Sequence, residues 1–101
     1  MKKEQIIDEV ETIVCAHVGI ERDQMLEKTK KGACVKARHL SIYILHSMFN
    51  ISIRDLSKRY ECSIRQVFKI NQHVVDYVAY NSHFREFYSS IIDDVSNKII
   101  I

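Results

Sequence analysis

Apolar residues recur at helical spacing along almost the whole chain. Ile6, Val10, Ile13, Val14, His17 and Val18 share one face and predict a first helix over about residues 4–18, which Gly19 is suited to end. Residues 21–27 predict a short second helix with Met25 and Leu26 turned inward. The run Thr29-Lys30-Lys31-Gly32 has no apolar period and reads as a basic loop. Ala33, Ala37, Leu40, Ile44 and Met48 line a third helix over about 33–49, its face widened by Ser41 and Leu45. After a break at Asn50 and Ile51, Ser52 is placed to cap a fourth helix over about 53–60, with Asp55 completing a shortened capping box. Ser63 is placed to cap a fifth, running to about Tyr80 through Val67, Ile70, Val74 and Val78. Beyond Asn81 and Ser82, the residues Phe84, Phe87, Tyr88, Ile91, Ile92 and Val95 predict a sixth amphipathic helix over about 83–97. The terminal run Ile99-Ile100-Ile101 either packs on the core or frays.

Within this pattern, Ile53 to Ile70 stands out. Its apolar positions Leu56, Tyr60, Cys62, Val67 and Ile70, with the small Ser57 beside the first, form one seam shared by two short helices and a tight turn. That is helix-turn-helix spacing, over about 52–80, and the geometry lets the second helix lie in a DNA major groove. With no proline and two glycines, few breakers interrupt the helices, so the expected fold is all-α: about six helices in one domain spanning 1–101.

Composition narrows the function classes. A hydrophobic share of 47% argues for a folded globule. A length of 101 residues suits one core and leaves no room for a nucleotide-hydrolysing domain beside it. The acids in MKKEQIIDEVE break any signal-peptide core, and no apolar run reaches the ~18–20 residues of a membrane span, so a cytoplasmic protein is expected, off the membrane. Cys15, Cys34 and Cys62 are odd in number, widely spaced and without a zinc-finger pattern, and read as small buried hydrophobes. The scattered histidines 17, 39, 46, 73 and 83 form no catalytic or metal-ligand spacing with them; neither an enzyme nor a cofactor is expected.

Charge sharpens the nucleic-acid reading. The net charge is only +2, yet ten Lys or Arg between Lys28 and Lys69 face just Asp55 and Glu61, a local +8. Such a concentration is the footprint of a phosphate-binding face.

The segment VKARHLSIYILHSMFNISIRDLSKRYECSIRQVFKI resembles the C-terminal DNA-binding domain of the bacterial replication initiator DnaA, a domain of Trp-repressor-like arrangement. Ala37, Arg38 and His39 stand where that family reads Ala-Arg-Gln, with Tyr43 and Ile44 further along. Ser52, Ile53, Leu56, Ser57 and Tyr60 match its next element, and Val14 to Ile20 with Leu26 look like its opening helices. The resemblance covers about residues 6–78 and implies the fold, duplex DNA as partner and a link to replication initiation without the ATPase. It also implies that Lys28, Lys30 and Lys31 touch the minor groove and phosphates. Two places depart from the family. Glu61 and Cys62 replace a frequent pair of glycines, and Ser63, Ile64, Arg65 and Gln66 replace Asp-His-Thr-Thr, so the initiator's site specificity does not carry over.

Individual roles follow from position. Arg65, in the first turn of the recognition helix, suits guanine; Gln66 and Gln72 suit adenine; Lys69 suits phosphate. Ser63 is first an N-cap, and its backbone amide can also hold a phosphate. Arg54, Lys58 and Arg59 decorate the helix that crosses the DNA backbone and serve as positioning contacts. Arg38 is read as a phosphate contact, with a salt bridge to an acid of the first helix as the alternative. Phe68 fits the seam poorly; it either touches a thymine methyl or, in the favoured reading, packs on the sixth helix. The rival to DNA binding is a protein-interaction module using the acidic first helix or the Phe84–Phe87–Tyr88 helix, for a partner or a second copy.

Overall fold

The computed structural model describes residues 2–27 and 31–100. Six α-helices follow in order: α1 Lys3–Val18, α2 Arg22–Leu26, α3 Gly32–Phe49, α4 Ile53–Arg59, α5 Ile64–Tyr80 and α6 Ser82–Val95. A π-helical turn, Ser96–Ile100, extends the last. No strand occurs among the described residues. The all-α, six-helix expectation is met.

Helix α3 is the spine. It buries Cys34, Ala37, Leu40, Ser41, Ile42, Ile44 and Leu45 and packs against α1, α2 and α5. So wide a buried face suits a helix covered on several sides. Helix α6 closes the bundle against α1 and α5, and α4 rests on α5. His17 Nε2 lies 2.6 Å from Asp94 Oδ2, tying α1 to α6.

The helix ends are fixed locally. Gly19 takes φ +88°, and its amide and that of Ile20 both donate to the Cys15 carbonyl, a glycine C-cap. Asn50 performs the same turn at φ +54°, with the Ile51 amide donating to Leu45 O and the His46 Nδ1–H donating to Ile51 O at 3.0 Å.

Three expectations about facing are corrected. Helix α2 has five residues, and adjacent positions lie 100° apart on a helix, so Met25 is fully buried while Leu26 stays 39% exposed. Ala33 is exposed in the first turn of α3, and Cys34 beside it is buried instead. Phe68 does not pack on α6: lying 100° round α5 from the buried Val67, it is 59% exposed. At the other end Ile99 packs against the core; Ile101 lies outside the described residues. Cys15 and Cys34 are buried free thiols, and Cys62 is a half-buried one. Burial, then the nearby Glu11 carboxylate, pushes the Cys15 thiol up to about 11. No helix among the described residues is long and apolar enough to cross a membrane.

Candidate nucleic-acid interface

Helices α4 and α5 form the helix-turn-helix. Leu56 and Val67 are fully buried between them, and Tyr60, Cys62 and Ile70 flank that seam half-buried. The Ser52 hydroxyl accepts from the Asp55 amide at 3.1 Å and so starts α4. Ser63 starts α5 with a full capping box, its hydroxyl accepting from the Gln66 amide at 3.1 Å while Gln66 Oε1 accepts from the Ser63 amide. A cap of this kind is worth ~1 kcal/mol. Between the helices Glu61 adopts φ +51°, and the Cys62 amide donates to Ser57 O. This left-handed residue occupies a position where the resembling family often carries glycine, the residue that takes such a backbone without a Cβ clash.

The basic side chains of this region divide into two groups. Arg54, Lys58, Arg65 and Lys69 are exposed, and none is held by a hydrogen bond or ion pair among the described residues. Arg59 stands apart from that group. Its guanidinium turns inward and grips the carboxylate of Glu11 on α1 with two hydrogen bonds, Nε at 2.8 Å and Nη2 at 2.5 Å.

Glu11 is fully buried, and the sequence reading did not single it out. Besides Arg59 it accepts from the Tyr60 hydroxyl at 2.5 Å and from Arg22 Nε on α2 at 2.9 Å. Burial opposes its ionisation, but the donors Arg59, Tyr60 and Arg22 outweigh that and hold the carboxyl below its ordinary range. Burial and the same carboxylate push the Tyr60 hydroxyl the other way, so it stays protonated and donates. Asp8 adds a second acid, 2.5 Å from Arg22 and 3.6 Å from Arg59. One buried carboxylate thus joins α1 and α2 to the end of α4, and sets the entry of the motif on the bundle. Lys3 pairs with Asp55 at the other end of α4; that ammonium, then the Ser52 hydroxyl, hold the Asp55 carboxyl below its usual range.

Arg38 has a local task that neither sequence alternative anticipated. Its Nη1 donates to Met25 O at 2.9 Å and Glu27 O at 2.8 Å, closing the end of α2. Lys31 is the exposed N-cap residue of α3, while Lys28 and Lys30 lie outside the described residues. On α5, Gln72 is exposed and donates to Asp76 Oδ1 at 3.0 Å, and the Gln66 side chain is engaged in its cap. Ile64 and Val75 join Phe68 in an exposed apolar stripe beside these polar residues. On α6, the rings of Phe84, Phe87 and Tyr88 are half-buried against the core.

A search of the curated proteins returned no match. A family model described as the bacterial dnaA protein helix-turn-helix matches residues 7–62, from α1 through α4 to the turn before α5. The match therefore takes in the Glu11 network and the first helix of the motif and stops short of α5. A helix-turn-helix of this kind suggests DNA binding. With more than half of its length matched, the chain belongs to the bacterial DnaA helix-turn-helix family.

Proposed function

We propose that the chain binds double-stranded DNA, with α4 lying across the backbone and α5 entering the major groove. The observation that carries this reading is the exposed set Arg54, Lys58, Arg65 and Lys69, spread over both helices of the motif. Arg54 and Lys58 contact phosphates and set register without reading sequence. Arg65, one residue into α5, is placed for a base edge and suits guanine. Lys69 neutralises phosphate one turn further on. On this reading the Ser63 backbone amide exchanges its capping bond to Gln66 Oε1 for a phosphate, which frees the Gln66 side chain to join Gln72 as an adenine-reading candidate. The basic loop, with Lys30 and Lys31, supplies a second contact to the minor groove or its phosphates on the strength of the family resemblance. A role in replication initiation or its regulation, without ATPase activity and in the cytoplasm, rests on the same resemblance.

Selection from a random duplex pool tests this reading. Retention of duplexes with a common core is the expected result; a protein that retains no duplex at low salt contradicts it. The exposed stripe of Ile64, Phe68 and Val75 favours a second reading, in which α5 meets a protein or a second copy. Sedimentation without DNA distinguishes the two: a stable dimer or a captured partner on that stripe, with no duplex bound, supports the second.

A further inference from the structure

Away from the motif's basic face, α3, α5 and the start of α6 enclose a groove of about 540 Å3. That volume falls in the range of small-ligand sites. Aromatic rings form much of its lining. Tyr77 stacks on Phe84 with centroids 4.9 Å apart, and Phe87 lies beside Phe84 at 6.4 Å. His73 meets Tyr77 edge-on at 5.4 Å and His39 at 6.3 Å. The Lys36 ammonium hangs over this cluster, 4.3 Å from the Phe87 centroid, and is held in no ion pair among the described residues.

The electrostatics of the lining are one-sided. Among the described residues it contains one ammonium and three imidazoles, the third from His83, and no carboxylate. Phe84 and Phe87 lie beyond the family match, so these two rings belong to the part of the chain that the match does not reach. Arg54, Lys58, Arg65 and Lys69 do not line the groove, although Lys31 and Gln72 adjoin its lining residues Gly32 and His73.

We propose that this groove binds a small planar aromatic molecule carrying an anionic group, its ring against Tyr77, Phe84 and Phe87 and its anion on the Lys36 ammonium. The rings supply apolar area and edge or face contacts. The ammonium supplies a charge-assisted hydrogen bond, which a neutral ligand of the same shape does not recruit. Two sources share this chemistry, an aromatic carboxylate and a nucleotide, in which the base is the ring and the phosphate the anion.

The test is an NMR titration of the full chain, without DNA, following the ring protons of His39, His73 and Phe87. The probes are 2-naphthoate, adenosine monophosphate and the neutral 2-naphthamide. Saturable shifts are expected with at least one anion, naphthoate identifying the carboxylate class and the nucleotide the other. The amide is expected to bind about tenfold more weakly than naphthoate where naphthoate binds. Lys36→Met, an exposed substitution, should weaken the anion by about the same factor, whereas Lys98→Met, outside the groove, should leave it unchanged. Absence of saturation with both anions, equal binding of naphthoate and its amide, or undiminished anion binding by Lys36→Met would overturn the proposal. Because no duplex is present, failure here leaves the DNA reading untouched, and failure of that reading leaves this one standing.

Discussion

Lys58 and Arg59 are neighbours on α4, and both carry a positive charge at the edge of the same motif. Lys58 is exposed to solvent, while the Arg59 guanidinium is locked onto a fully buried carboxylate. The same division runs through the whole region. Arg22, Arg38 and Arg59 bind acids or carbonyls of the bundle; Arg54, Lys58, Arg65 and Lys69 point away from it. Local charge density therefore overstates the surface available to phosphate. A bidentate arginine suits the inward task, because its planar fork matches a carboxylate that a lysine meets only as a point charge.

The largest effect that separates the two groups is expected at Glu11. Replacing it with alanine leaves Arg59, Arg22 and the Tyr60 hydroxyl without their shared acceptor. Removing one partner of a buried charge cluster costs about 3–5 kcal/mol, so Glu11→Ala should lower the unfolding free energy by that much in a denaturant titration. A loss under about 1 kcal/mol would mean that the carboxylate is not holding the motif to the bundle.

Next in size is the outward group. The double charge reversal Arg54→Glu with Lys58→Glu should weaken duplex binding about 10–100-fold at low salt. Its thermal midpoint should stay close to wild type, since neither side chain is bonded to the bundle. Mobility-shift titration with a parallel melting curve reads both quantities. A fall in stability with unchanged affinity would reverse the assignment.

Acid should act on the inward group. The Glu11 carboxyl sits below its usual value of 4.5 in the folded chain, so the unfolded chain takes up that proton first as pH falls. Stability from this group is therefore present above about pH 4.5 and is lost as pH drops through the lower folded value. Glu11→Gln should flatten this part of the stability profile. An unaltered acid limb in that variant would remove Glu11 from the account.

The smallest effect belongs to the turn. Glu61 holds φ +51°, a backbone that carries a steric penalty for a side chain and none for glycine. Glu61→Gly should stabilise the chain by up to ~1 kcal/mol, with the helix content of the circular dichroism spectrum unchanged.

Much of the fold was legible because it rests on periodicity and caps. The apolar stripes outlined all six helices, and Ser52, Ser63 and Gly19 marked ends that the structure places there. Facing was less legible where a helix is short or an apolar residue lies just off the stripe, as with Leu26 and Phe68. The inward turn of Arg59 escaped because its partner is remote: Glu11 lies 48 positions from Arg59 and 49 from Tyr60. One signal was available. Glu11 lies on the same face as Ile7, Val10 and Val14, and an acid within an apolar stripe calls for a buried partner. Lys58 and Arg59 could not be told apart by charge, only by the 100° that separates them around α4.

The division of the bases is tested most directly by the salt dependence of duplex affinity in three proteins: wild type, Arg54→Gln with Lys58→Gln, and Arg59→Gln held at a temperature where it remains folded. Each phosphate no longer neutralised should reduce the slope of log affinity against log salt by about 0.9, so the first variant should fall short of wild type by ~1.8 and Arg59→Gln should match wild type. A slope that falls for Arg59→Gln and holds for the double variant would contradict the account.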